Sequence, residues 1–349
     1  MKALKYLGLA LRNPGRFKTL LDALKGTRIY MNIIIAKVLG PTLSSYSSED
    51  KSISLEDLMA ENNYKNKELL EELLQILENE GYLNRKENNL WLKNPIITSD
   101  LEQRKEKVAE IVLESFETFE SYTIEAMQER LSGKPPKEFD SNELRVLWNI
   151  ALRGDFYKLQ RDEAFKFADL ANYAKSRNAT PFRLLDFGCG SGEGTVQILN
   201  YLKANNIDFA IDACDISEGL LEIASEDEGL ETSIHFFSLR ERNPKKNYYD
   251  AIFISQVLHW SPDPIKMVED LKSYLKEDGI LFGVQSTISK QLYQIDLFIR
   301  LLGAQGFPEK DNLVHWFSTN DLNLKHNPVT QAFLATTKKE FEDPVGWLE

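Results

Sequence analysis

From residue 182 onward, compact apolar runs alternate with longer amphipathic stretches along the chain. FRLLDF, FAIDACDI, SIHFFSL, YDAIFIS and GILFGVQS are dominated by aliphatic and aromatic residues, the signature of strands. Their hydrophobicity is nearly continuous, which predicts burial on both faces. Helical periodicity separates most of them, so the expected fold class is α/β, with a doubly wound parallel sheet covered by helices.

Ahead of this region the pattern changes. In residues 54–93 a short helix is expected after the cap-like Ser54, with Glu56 and Asp57 in its first turn. A second helix carries Leu69, Leu70, Leu73, Leu74 and Leu77 on one face and stops at Gly81. YLNRKENNLWLK reads as two short strands around an Asn-rich turn. Helix, turn, helix and hairpin together resemble a winged helix. Reading DNA would need a neutral or basic second helix, yet residues 54–80 carry eight acids against two lysines. A structural or dimerising role, giving a homodimer, is expected instead. Residues 101–178 are mostly helical in pattern, with a break at Pro135-Pro136. These shifts divide the chain into an N-terminal helical and winged-helix domain at 1–100, a helical connection with substrate-side helices at 101–178, and the α/β domain at 179–349.

Charge refines this picture. The net charge of −12 over 349 residues argues against a nucleic-acid partner. Residues 1–28, however, hold seven Lys or Arg against the single Asp22. With Leu4, Leu7 and Leu11 at helical spacing, this segment can lie peripherally on an anionic membrane or pack on an acidic protein surface. No apolar run is long enough to span a bilayer, and Cys189 and Cys214 form no disulfide framework. A reducing, cytoplasmic location is expected.

The chemistry concentrates after the first strand, where GCGSGEG packs four glycines into seven positions. A Walker phosphate loop would need Lys-Ser/Thr after the last glycine, and none follows. The dinucleotide pattern G-x-G-x-x-G fails in both registers, meeting Glu193 from Gly188 and Thr195 from Gly190. Asp186 just ahead of the loop would repel phosphate and welcome a cation.

LLDFGCGSGEGT resembles the first motif of class I S-adenosylmethionine-dependent methyltransferases, D/E-x-G-x-G-x-G, with Asp186, Gly188, Gly190 and Gly192 in its positions. The resemblance runs in order over roughly 180–339 and implies a seven-stranded Rossmann-like sheet with S-adenosyl-L-methionine as cofactor. It implies that Asp215, closing FAIDACD, accepts both ribose hydroxyls and that Ile216 flanks the adenine; Asp212 is the competing acid, two residues inside the strand. Ser238-Leu239 stands where many members place an acid against the adenine amino group. Ser255-Gln256 reaches the catalytic end of the fourth strand.

His259-Trp260-Ser261 is similar to the HDWSD motif of winged-helix-containing small-molecule O-methyltransferases, whose His is the general base, although the intervening Asp is missing here. Three roles stay open for His259: general base, pocket lining, or a structural histidine. His235 and His326 fall in strands and read as structural, while His315 lies in a segment that could cover the substrate. Phe156, Tyr157, Trp260, Tyr293 and Trp316 are further pocket candidates, with Phe298, Phe307 and Phe317 behind them. Their aromatic character favours an apolar small-molecule acceptor. No metal is expected. The expected activity is methyl transfer to an oxygen of a hydrophobic or aromatic molecule. The alternatives are carbon or nitrogen methylation of a membrane-borne quinone or lipid, and a winged-helix regulator that keeps the cofactor fold.

Overall fold

The computed structural model describes residues 14–94, 110–136, 142–177, 180–226, 234–290 and 292–337. Contacts gather the chain into two compact units, one of Phe17–Glu138 with Lys290–Ala304, the other of Met1–Arg16, Phe139–Ser289 and Gln305–Glu349. The sequence boundaries at 100 and 178 do not coincide with this division.

Most of helix α1 (Pro14–Leu43) belongs to the first unit, and its run from Tyr30 to Ile35 is buried and carries no charged residue. Strand β1 (Ile53–Ser54) leads into α2 (Leu55–Asn62), where Ser54 Oγ accepts from Asp57 N at 3.0 Å. In α3 (Lys67–Asn79) Asn66 supplies the equivalent cap, and all five leucines expected on one face are buried. Strands β2 (Leu83–Lys86) and β3 (Asn89–Leu92) pair antiparallel in the register Leu83↔Leu92. β1 adds to β3 through Ile53↔Leu90, a strand too short for its pattern to announce. Helix α4 (Glu110–Leu131) follows and ends ahead of Pro135-Pro136.

The second unit opens with α5 (Asn142–Leu152), α6 (Asp155–Phe167) and α7 (Leu170–Ser176). Then come β4 (Phe182–Phe187), α8 (Glu193–Ala204), β5 (Phe209–Asp215), α9 (Glu218–Ser225), β6 (Ile234–Ser238) and β7 (Tyr249–Ser255). A 3-10 turn at Leu258–Trp260 precedes α10 (Pro264–Tyr274) and β8 (Leu275–Val284). The inserted α11 (Tyr293–Leu301) belongs to the first unit, where Arg300 pairs with Glu72 and Asp296, and Phe298 meets Phe119 edge-on at 5.3 Å. Helix α12 (Lys310–Ser318), β9 (Asn323–His326) and β10 (Ala332–Thr336) complete the second unit.

Its seven strands lie in the order β6-β5-β4-β7-β8-β10-β9, parallel except where β10 runs against β8 and β9. The pleat divides the apolar runs between two faces. Phe253 and Phe282 pack with Phe165 of α6 on one, while Ile252 and Ile254 join Val268 and Leu271 of α10 on the other. Gly283 permits the close approach of β7 and β8, because a Cβ there would lie 1.7 Å from the Ile254 carbonyl oxygen. Strand order reverses between β4 and β7, which opens a crevice at their carboxyl ends. Among the described residues no helix is long and apolar enough to cross a membrane.

Candidate cofactor and acceptor site

The glycine loop lies at that crevice, between β4 and α8. Gly188, Gly190 and Gly192 all take left-handed φ values, which only glycine adopts without cost. At Gly190 a Cβ would also meet Leu152 Cδ1 at 2.9 Å. The Gly190 N–H donates to Asp215 Oδ2 at 2.8 Å, and Ser217 N donates to Oδ1 at 2.9 Å. Two backbone donors therefore orient the Asp215 carboxylate, whose oxygens keep lone-pair capacity for a diol. Ile216 follows it and is 56% exposed, an unusual position for so large an apolar side chain. Ser238, closing β6, accepts from Arg240 N at 3.2 Å, and Leu239 N donates to the Asp215 carbonyl at 2.9 Å.

Asp186 is buried beneath the loop and accepts from Thr195 Oγ1 at 2.7 Å. Burial pushes its carboxyl up to about 7, against the lowering effects of the Thr195 bond and the Arg161 charge. A cationic ligand would favour its ionised form. Arg161, on α6, is itself 3% exposed and donates to Gln197 Oε1 and the Leu152 carbonyl. Ser191 Oγ, inside the loop and 7% exposed, has no hydrogen-bond partner among the described residues. A glycine cradle, a buried acid, an oriented diol acceptor and an unengaged hydroxyl fit S-adenosylmethionine, which offers a cationic amino-acid end and a ribose. Asp186, Ser191 and the loop backbone would hold the first, Asp215 the second, and Ile216 the adenine face.

The next cluster lies beyond β7 and β8. Gln256 takes the left-handed φ of +61° and clamps Ser286, donating from Nε2 to its Oγ at 2.8 Å and accepting from its N at 3.1 Å. Ser255 ends β7 just before it. His259 lies in the 3-10 turn with 3% exposure, and its carbonyl accepts from Gln305 N at 2.8 Å. Phe307 meets its ring edge-on at 5.0 Å, and Trp260 stands at 5.7 Å with Trp148 edge-on to Trp260 at 5.9 Å. Gln285 Nε2 lies 3.3 Å from His259 Nδ1. Burial holds the His259 ring down at about 3, so it is neutral near pH 7.

The remaining candidates lie on several elements. Tyr157 is half-buried on α6, its phenol raised to about 12 by burial, and the side chain of Phe156 is outside the described residues. Tyr293 is in the first unit and hydrogen-bonds Glu72. His315 is exposed on α12, while Trp316 packs on the core beside α10 and Phe317 is part of that core. His326 donates from Nε2 to the Gln285 carbonyl at 2.9 Å; His235 is exposed on β6. Sequence reasoning missed Arg161, Ser191 and Gln285. Gln285 left one trace, a polar residue closing the otherwise apolar GILFGVQ.

A family model described as a methyltransferase domain matches residues 185–281. A malonyl-[acyl-carrier protein] O-methyltransferase of Halalkalibacterium halodurans is 31% identical over 131 residues, 35% of this chain and 46% of that protein. The match thus spans less than half of that relative's length. A ubiquinone biosynthesis O-methyltransferase of Actinobacillus pleuropneumoniae is 30% identical over 179 residues, 43% of this chain and 72% of the relative. The solved CurJ carbon methyltransferase has the same fold, with a TM-score of 0.71 over 96% of both chains at 16% identity. The loop, the acid that closes β5 and these likenesses agree: the chain belongs to the class I S-adenosylmethionine-dependent methyltransferases.

Proposed function

We propose that the protein methylates an acidic oxygen on an apolar acceptor. The observation that carries this reading is the neutral His259, buried among Trp260 and Phe307 beside the carboxyl ends of β7 and β8. An aromatic, water-poor setting favours an apolar body, and a neutral imidazole contacts an oxygen acid without adding charge. The cofactor would supply a methyl group on a sulfonium, to which an oxygen lone pair can bond as the neutral thioether leaves. The chain's own task is to bind the acceptor, exclude water and hold the oxygen in line. The two curated relatives above carry O-methyltransferase names, which supports oxygen over other atoms.

A second reading, methylation at carbon, draws on the chain-wide likeness to carbon methyltransferases. Both are tested by incubating the protein and methyl-labelled S-adenosylmethionine with carboxylic acids, phenols and 1,3-dicarbonyl thioesters. Alkali releases labelled methanol from a methyl ester but not from an aryl ether or a C-methyl product. Label on oxygen supports the first reading; label only on carbon replaces it with the second.

We further propose that the first unit is a winged-helix-like dimerisation module. Its helix, two-helix and hairpin order supports this, and the acids of α3 speak against a DNA-reading regulator. A cytoplasmic homodimer is the corresponding proposal for the whole chain.

A further inference from the structure

Building on the oxygen-acid reading, we propose that His259 serves the acceptor as a hydrogen-bond donor through Nε2–H, holding one oxygen of a delocalised oxyanion such as a carboxylate while the other attacks. The state of the ring is fixed by Gln285. Its Nε2 lies 2.9 Å from the Ser286 carbonyl oxygen and 3.3 Å from His259 Nδ1. A carbonyl oxygen only accepts, so the amide nitrogen must face Ser286; the flipped amide would put two oxygens 2.9 Å apart. One amide hydrogen goes to Ser286, and the other points at His259 Nδ1. That nitrogen therefore presents its lone pair, and the hydrogen of the neutral ring sits on Nε2.

The surroundings keep the ring in this state. Burial opposes protonation and outweighs the raising effect of the Gln285 contact, and among the described residues no charged side chain shifts the ring. The other titratable group at hand is His326, which reaches the pair from β9 by donating to the Gln285 carbonyl and is also held neutral, at about 4, by burial. Gln285 meets the ring at Nδ1, which leaves Nε2 as its other hydrogen-bonding atom. A ring with its hydrogen on Nε2 has no lone pair there with which to take a proton, and its basic nitrogen is covered by Gln285. It can donate, and so it selects a ligand that accepts.

A donor placed on the attacking atom would blunt that atom, because its negative charge disappears in the transition state. A delocalised oxyanion avoids this conflict: the held oxygen fixes the group and the second oxygen uses its lone pair. The O–C bond forms as the methyl's bond to sulfur breaks, with the bonding pair staying on sulfur. The anion becomes a neutral ester, and no proton remains for a base to remove.

The test combines spectroscopy with turnover. In the full-length protein labelled with 15N-histidine, only four histidines contribute signals, and His259→Gln identifies the one in question. The expected spectrum shows neutral His259 protonated at Nε2 between pH 5 and 9. Gln285→Glu, which offers Nδ1 an acceptor, is expected to move the proton to Nδ1 or to make the ring cationic. An Nδ1-protonated or cationic ring in the unaltered protein overturns the proposal. In the labelled-methyl assay with carboxylic acids, His259→Gln keeps a donor, so its kcat should stay within about tenfold, with a raised KM. His259→Phe should lose far more. Equal losses in the two variants overturn the donor role. Failure of the unaltered protein to methylate any oxygen acid would instead refute the acceptor reading, with the tautomer still decided by the spectrum.

Discussion

Asp186 shows how one residue couples the fold to ligand charge. Its carboxyl stands at about 7 in the folded protein against an ordinary value of 3.8, chiefly through burial. Between these values the folded state binds the extra proton, so this residue's contribution to stability falls as pH rises from about 4 to 7. A bound ammonium reverses the preference and favours the anion. Affinity for S-adenosylhomocysteine is therefore expected to drop up to about tenfold per pH unit below about 7, and Asp186→Asn should bind weakly with a flat profile. Calorimetry at several pH values checks this, and an unchanged profile in the variant would contradict it. His259 has the opposite sign: with its pKa lowered from 6.5 to about 3, the unfolded chain takes the proton first. Stability present above pH 6.5 is lost as pH falls toward 3. His259→Gln should flatten part of that loss in urea titrations. Asp186 and Asp215 were legible in the sequence because strand ends and the loop between them are local features. The tautomer of His259 was not, since Gln285 reaches it from another strand.

At the scale of elements, the continuous apolar runs identified β4 to β8 because strands buried on both faces need little help from context. The cap at Ser54 was also legible, because it acts within its own turn. Other features depended on distant partners. The two-residue β1 exists only as an addition to β3, and α11 joins the first unit through the Arg300–Glu72 pair, 228 residues apart in the chain. His315 and Trp316, expected in a segment that could cover the substrate, form one turn of α12, with His315 exposed and Trp316 against the core. Close packing between β7 and β8 gives a sharp prediction. Gly283→Ala would drive a Cβ into the Ile254 carbonyl, so the variant should lose cooperative thermal unfolding or fail to accumulate as folded protein. A melt like that of the unaltered chain would show that the two strands are not so closely apposed.

At the scale of the whole molecule, the acidic α3 lies in the first unit and the glycine loop in the second. Sedimentation of the full chain should give a dimer without salt-sensitive DNA retention; a monomer at micromolar concentration would contradict the dimerisation proposal. Residues 1–13 of the basic segment 1–28 lie outside the described residues, and flotation on anionic vesicles, reversed by salt, is the result expected if the segment contacts membranes. The loop, Asp186 and Asp215 are proposed to form together one site for S-adenosylmethionine per chain. Titration calorimetry of the full chain with S-adenosylhomocysteine measures this most directly. The expected result is one site per chain and no heat with NAD or ATP, with Asp215→Asn weaker by about 2–4 kcal/mol. Saturable binding of NAD or ATP in its place, or unchanged affinity in Asp215→Asn, would contradict it.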